Sequence, residues 1–257
     1  MSSLSAAEML TNPCALPMRS IQTLAKRSIL VVAPHPDDET LGCGGTIALL
    51  RLLGCQVYIL VMSDGTMSHP RSRKYPAPKL KALREQETIA AVSILGIDRR
   101  SITFLQLKDG AIPMVDEAGF EAAVDRCQVH LSRLSPELML LPWRADPHPD
   151  HRAAWQLIQS ALTNLAIAPR LIEYPIWDWD VQQRGKMASP GKMASERQAG
   201  WRIEISAVLA EKRRAIAQYR SQVTNLIDDD PQGFQLTPDM LENFTRPWEV
   251  FFEDTRG

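Results

Sequence analysis

Two short polar clusters hold the residue types that could do chemistry. The first is His35, Pro36, Asp37, Asp38 and Glu39; the second lies far downstream and contains Asp146, His148, Asp150 and His151. Three consecutive acids behind a histidine repel one another, and a bound cation would relieve that repulsion. Helix capping alone would need only one Asp at such a boundary. His148 and His151, three apart at the start of a helix, can share a face. Together the clusters offer two imidazoles and one carboxylate, an N/O set that suits zinc and leaves a fourth position for water. Taking His35, Asp38 and His151 as that set leaves Asp37 and His148 over. Metal-assisted hydrolysis needs two such groups, one to accept a proton and one to meet charge on the substrate oxygen. Spacing alone does not tell Asp37 from Asp38, and iron suits two histidines and a carboxylate as well as zinc does.

Both clusters must be positioned by the runs before them. The apolar segment 29–33 precedes the first and 138–141 the second, and each stops abruptly at the polar residues. Such runs are expected as buried strands, which puts both clusters at strand carboxyl ends, the edge where open α/β sheets bind ligands. Further strands are predicted over 57–62, 102–105, 171–174 and 201–206, the last antiparallel at an edge, with an apolar strand at the end of the chain. Helices are predicted over 46–53, 79–95, 120–134, 152–165 and 207–220. This alternation predicts an α/β, Rossmann-like fold with a mostly parallel sheet and helices on both faces. Residues 1–26 are expected as an N-terminal extension, surface-wrapped or mobile, and 27–257 as a single domain.

The chain has 257 residues, 45% of them hydrophobic, enough for one large core. A formal charge of -1 and no long basic tract argue against nucleic acid or an anionic membrane as partner. No apolar run is long enough to span a bilayer. Cys14, Cys43, Cys55 and Cys127 form no C-x-x-C pair and are expected as reduced thiols of a cytoplasmic protein. The oligomeric state is left open, and a homo-oligomer is compatible with the sequence.

APHPDDE at 33–39 and HPDH at 148–151 resemble the paired motifs of the LmbE-like, or PIG-L, family of zinc-dependent de-N-acetylases, which remove acetyl groups from N-acetylglucosamine-containing compounds. The similarity extends to LREQE at 83–87, FLQLKDG at 104–110 and KRRAIAQYRSQ at 212–222, and so covers most of the chain from 28 to 222. The resemblance implies zinc on His35, Asp38 and His151, Asp37 as general base and His148 as stabiliser of the tetrahedral oxyanion. Asp146 or Asp150 would orient an imidazole. By the same resemblance Arg84 reaches the site to hold substrate and Asp109 lies near it; otherwise Arg84 would be a surface cation and Asp109 a turn residue. Tyr219 stands where the family often has histidine. The implied substrate is a small N-acetylated amino-sugar compound.

Two alternatives remain at this stage: an amidase for another amide, such as a thiol conjugate, and a non-catalytic sugar- or nucleotide-binding Rossmann-like module. For the module, GCGGT at 42–46 is a phosphate-loop candidate without the full G-x-G-x-x-G spacing. A binder would need neither Asp37 nor His148. Three more segments carry expectations. Residues 63–78 are expected to be a mobile basic loop bordering the site, as is the tandem GKMAS stretch at 185–196. The aromatic, acidic 176–180 is either a sugar platform or core. Asp228, Asp229 and Asp230 are expected as a solvated turn, their spacing not being that of a calcium loop.

Overall fold

The computed structural model describes residues 6–163, 165, 167–179 and 198–254. In chain order they form α1 (Ala6–Thr11), β1 (Met18–Arg19), β2 (Ser28–Ala33), α2 (Asp38–Leu52), β3 (Gln56–Ser63), α3 (Ala77–Ile94), β4 (Ile102–Leu107) and α4 (Phe120–Leu134). There follow β5 (Leu138–Pro142), α5 (Pro149–Leu162), β6 (Arg170–Tyr174), β7 (Gln198–Glu204), α6 (Leu209–Ile216), α7 (Arg220–Val223), α8 (Pro238–Phe244) and β8 (Trp248–Asp254).

The strands make one sheet in the order β1-β7-β8-β6-β5-β2-β3-β4. From β4 to β6 every pairing is parallel, and β8 runs antiparallel to both its neighbours. The chain winds outward from β2 through β3 to β4, then crosses back to lay β5 and β6 on the other side of β2. Strand order therefore reverses between β2 and β5, and the crevice beyond the carboxyl ends at such a switch point is where α/β sheets bind ligands. Ile29 sits opposite Leu138 and Val31 opposite Leu140, so the segments that follow the two strands emerge side by side.

Near-continuous apolar strands are expected where helices cover both faces of a parallel sheet. Along β2, Ile29, Val31 and Ala33 pack into a cluster with Leu41, Ile47 and Val92, while Leu30 and Val32 pack with Val124, Leu131 and Leu157 on the other face. The predicted mostly parallel sheet with helices on both faces is what the chain forms. Among the described residues no helix is long and apolar enough to cross a membrane.

Helix α2 starts at Asp38, not at residue 46 as predicted, so Asp38 and Glu39 occupy its first turn. The glycines that weaken helix propensity there are close-packing positions. A Cβ on Gly42 would lie 2.3 Å from Tyr174 Cδ2, and one on Gly45 would lie 2.6 Å from Ile205 Cδ1. GCGGT is thus helix interior pressed against neighbouring elements, not a phosphate-binding loop. Helix α5 likewise starts early, at Pro149, where proline's missing N–H costs nothing.

β7 is antiparallel to β8 as expected, but it is not an edge: β1 pairs with it in parallel, Met18 opposite Arg202. The N-terminal segment also packs Met9, Leu10 and Leu16 against Val250 and Phe252. The acidic triplet expected as a solvated turn hydrogen-bonds to residues 63–78, with Asp228 exposed and Asp230 buried. Ser72 Oγ and the backbone N–H groups of Arg73 and Lys74 donate to the Asp229 carboxylate at 2.6, 2.8 and 2.9 Å, and Arg71 N–H donates to Asp230 at 2.9 Å. The tandem GKMAS stretch lies outside the described residues.

One buried ion pair ties α2 to the C-terminal half. Lys212 Nζ donates to Glu249 Oε1 at 2.6 Å and to the Leu41 carbonyl at 2.8 Å, while Glu249 accepts the N–H groups of Gly45 and Thr46 at 2.7 and 2.8 Å. Removing one partner would leave an uncompensated charge in the core. Lys212→Met is expected to lower unfolding free energy by about 3–5 kcal/mol, measured by urea denaturation. A loss below about 1 kcal/mol would show that the pair does not secure α2.

Candidate active site

The first cluster is built by the turn from β2 into α2. Asp38 folds its carboxylate back so that Oδ2 accepts the His35 N–H at 2.8 Å. The second is built by the turn from β5 into α5. Asp146 Oδ1 accepts the His148 N–H at 2.8 Å and its Oδ2 accepts the Trp177 N–H at 3.2 Å, holding the turn closed. His148 then caps α5, its Nδ1 accepting the Asp150 N–H at 3.2 Å.

These turns bring three donor atoms into an equilateral triangle. His35 Nδ1 to Asp38 Oδ2, His151 Nε2 to Asp38 Oδ2 and His151 Nε2 to His35 Nδ1 are each 3.3 Å. Bonds of ~2.0–2.1 Å to a tetrahedral zinc ion require ligand atoms roughly 3.3–3.4 Å apart. The triangle has that edge, and the residues present fit the metal. Two looser sets of metal-capable atoms share His35: His35, His148 and His151, and His35, Asp109 and Asp150, each within 4.8 Å.

The second nitrogen of each imidazole in the triangle faces carboxylates. His35 Nε2 lies 3.1 Å from Asp150 Oδ2 and 3.3 Å from Asp109 Oδ1, and His151 Nδ1 lies 3.3 Å from Asp146 Oδ2. Carboxylates behind ligating histidines fix ring orientation and raise basicity. Asp150 is itself held by the N–H groups of Gly110 at 2.8 Å and Ile112 at 3.2 Å. Burial opposes charge on His151, yet Asp146 and Asp38 outweigh it and push its pKa up to about 9. Burial likewise opposes charge on His35, and Asp109, Asp150 and Asp38 raise its pKa well above the ordinary value. For Asp38, burial favours the neutral acid but His151 and His35 hold the carboxyl well below the usual range. So much buried negative charge is what a divalent cation would neutralise.

Asp37 sits beside the triangle in a backbone conformation that side-chain-bearing residues rarely adopt, with φ 130°. Such conformations cost of order 1–3 kcal/mol and persist only where surroundings enforce them. Here Asp37 N–H donates to Glu39 Oε2 at 3.2 Å, and its carbonyl accepts the Thr40 and Leu41 N–H groups at 3.0 and 2.9 Å. Glu39 is fixed in turn by the Tyr219 hydroxyl through a short hydrogen bond. Burial pushes the Asp37 carboxyl up to about 8, with Arg84 opposing and Asp38 and Glu39 adding to the rise. Arg84 is buried; its guanidinium donates to Asp37 Oδ2 at 3.1 Å and to the Gly65 carbonyl at 3.1 Å. Gly65, at φ +66°, leaves room for that guanidinium, since a Cβ would come 2.9 Å from Arg84 Cδ.

His148 packs edge-on to His35, ring centroids 4.8 Å apart, and stacks on Trp177 at 5.6 Å. Burial and the neighbouring His35 and His151 drive its pKa down to about 3, so the ring is neutral. Because Nδ1 accepts a hydrogen bond, the proton is assigned to Nε2. His35, Asp37, Asp38, Arg84, Asp109 and His148 all line one cavity of about 280 Å³.

The structure thus gathers every residue singled out from sequence: His35, Asp37, Asp38, Arg84, Asp109, Asp146, His148, Asp150 and His151. It also separates two carboxylates that sequence could not tell apart, since Asp146 faces His151 and Asp150 faces His35. Sequence reading gave no role to the cavity wall from the C-terminal segment, where Phe234, Leu236, Met240 and Phe244 lie. Thr237 and Pro238 signal a helix start there, but nothing local says where that helix docks.

The family described as GlcNAc-PI de-N-acetylase matches residues 30–162, which span β2 to the end of α5 and hold both clusters. Diacetylchitobiose deacetylase of Thermococcus kodakarensis is 32% identical over 129 residues, which make up 50% of this chain and 46% of that protein; this chain thus spans about half the length of that relative. A 1D-myo-inositol 2-acetamido-2-deoxy-alpha-D-glucopyranoside deacetylase of Rhodococcus jostii is 27% identical over 78% of this chain and 83% of its own. The structure of N,N'-diacetylchitobiose deacetylase from Pyrococcus horikoshii shares the fold, with a TM-score of 0.61 at 24% identity over 88% of this chain and 82% of that one. With both motifs inside the matched half and their side chains converging at the switch point, this chain belongs to the GlcNAc-PI de-N-acetylase family, PIG-L.

Proposed function

We propose that this chain is a zinc-dependent hydrolase that removes the acetyl group from an N-acetylglucosamine-type amino-sugar compound. The observation that carries the reading is the 3.3 Å triangle of His35, Asp38 and His151, with Asp37 and His148 on the same cavity. The activities named for the Thermococcus and Rhodococcus relatives, both deacetylases, support the substrate class.

His35, Asp38 and His151 would hold a divalent cation, which would supply Lewis acidity to acidify water and polarise a carbonyl. Zinc suits the edge length of the triangle; iron would accept the same donors. Asp37, which the charge of a cation on the neighbouring donors would favour in its ionised form, takes the proton of the attacking water and can return it to the departing nitrogen, its carboxylate aligned by Arg84. His148, neutral and protonated on Nε2, donates to the amide oxygen as negative charge develops there. Asp146 keeps His151 in place, and Asp150 and Asp109, both at His35 Nε2, keep His35 in place. The unpaired Cys14, Cys43, Cys55 and Cys127 support a reducing, cytoplasmic setting.

Three outcomes are expected. His151→Ala should lose most bound metal, because three protein ligands are the minimum that holds a catalytic zinc; full stoichiometry by elemental analysis would remove His151 from the site. Asp37→Asn should keep its metal while acetate release falls by roughly 10²–10⁴, whereas a wild-type rate would mean that Asp37 is not the base. His148→Ala should also retain metal and lose ~10² or more in kcat; an unchanged kcat would rule out its donor role. Should the metal-loaded protein release no acetate from any N-acetylated sugar but free an amine from another amide, the substrate class would change to that amide.

A further inference from the structure

Beyond the reacting groups, the cavity changes character. From His148 the rings of Trp177 and then Phe234 succeed one another, at 5.6 and 5.4 Å between centroids. Trp179, Leu236, Met240 and Phe244 extend this apolar wall, and the uncharged polar side chains of the whole lining are Ser68, Gln222 and Asn243. Leu236, after the Asp228–Asp230 anchor, is 7% exposed and Phe244 is 5% exposed, so these two pack into the core, while Trp177, Trp179, Phe234 and Met240 are half-buried. The charged lining residues His35, Asp37, Asp38, Arg84 and Asp109 belong to the catalytic end. Arg84, the cation among them, is already paired with Asp37 at 3.1 Å.

An aromatic platform alone would suit a sugar face, but a second sugar brings more hydroxyls than Ser68, Gln222 and Asn243 can pair, and hydroxyls left unpaired against an apolar wall are costly. An anionic group would meet apolar side chains and no unpaired cation among the described lining residues. An apolar group would gain from burial against the same wall. We propose that the apolar arm is a subsite for an uncharged alkyl or aryl group on the substrate's aglycone. The substrate class is then an N-acetylated amino sugar bearing an apolar substituent, not a free sugar, a disaccharide or a sugar phosphate. This rests on the deacetylase reading for the catalytic end, but the arm's preference can be measured without turnover.

The test uses zinc-loaded protein and two parallel series. Binding of glucosamine, glucosamine 1-phosphate, chitobiose as the diamine, octyl glucosaminide and phenyl glucosaminide is followed by calorimetry, and acetate release is followed from the N-acetylated forms. Octyl and phenyl glycosides are expected to bind at least ~10²-fold tighter than glucosamine, since one methylene in an apolar pocket is worth about 10-fold or more. The phosphate and the disaccharide should gain nothing. Met240→Gln, at a partly exposed position that tolerates a polar residue, and Leu236→Asn should each shrink the octyl advantage at least ~10-fold. Equal affinity across the series, or an advantage undiminished in a folded Met240→Gln protein, overturns the subsite. Apolar preference in binding without acetate release supports the subsite and refutes the deacetylase reading. Acetate release that favours the free, phosphorylated or disaccharide substrate keeps the deacetylase and refutes the subsite.

Discussion

Buried like charge is the constraint around which this protein is arranged. Asp38, Asp109, Asp146 and Asp150 are all buried and all lie within 3.3 Å of a nitrogen of His35 or His151. Desolvated carboxylates at this density are tolerable only when positive charge lies among them. Protonated imidazoles can supply it, and a cation seated in the donor triangle would supply it in place of their protons. The surrounding hydrogen bonds, from the backbone of Gly110 and Ile112 to Asp150 and from His148 and Trp177 to Asp146, fix the acids so that they cannot move apart.

The sheet makes that crowding possible. β2 and β5 are distant in sequence but adjacent in space, and each ends at the crevice where strand order reverses. The turn after β2 starts α2 in the strained Asp37 conformation, and the turn after β5 starts α5 with His148 as cap. Strain at Asp37 is sustained by a relay from Tyr219 through Glu39 to the Asp37 backbone, and α2 behind it is tied down by Lys212 and Glu249. Tyr219 is therefore part of the frame that presents Asp37, and it does so from a fully buried position.

The parallel core and the residues that meet at the candidate site are legible because they follow one local grammar: an apolar run, then a polar turn, then a helix. What stayed hidden depends on contacts distant in sequence. The early start of α2 is hidden because glycines weaken helix propensity, while the missing side chains of Gly42, Gly44 and Gly45 make room for Tyr174, Lys212 and Ile205. β7 read as an edge because Met18 and Arg19, which cover it, form too short a strand to show periodicity. The pairing of Asp146 with His151 and of Asp150 with His35 could not be derived from a spacing that offers both acids to either ring. The apolar wall of Leu236 and Met240 comes from a segment with no chemistry of its own, whose importance lies only in where it docks.

Every role assigned to the site depends on one placement, a metal among His35 Nδ1, Asp38 Oδ2 and His151 Nε2. Anomalous diffraction from zinc-loaded crystals, collected on both sides of the zinc absorption edge, tests it directly. The expected result is a single strong peak at about 2.0–2.2 Å from each of those three atoms. A peak between His35 Nε2, Asp109 and Asp150, or one ligated by His148 with Asp38 left out, would contradict it.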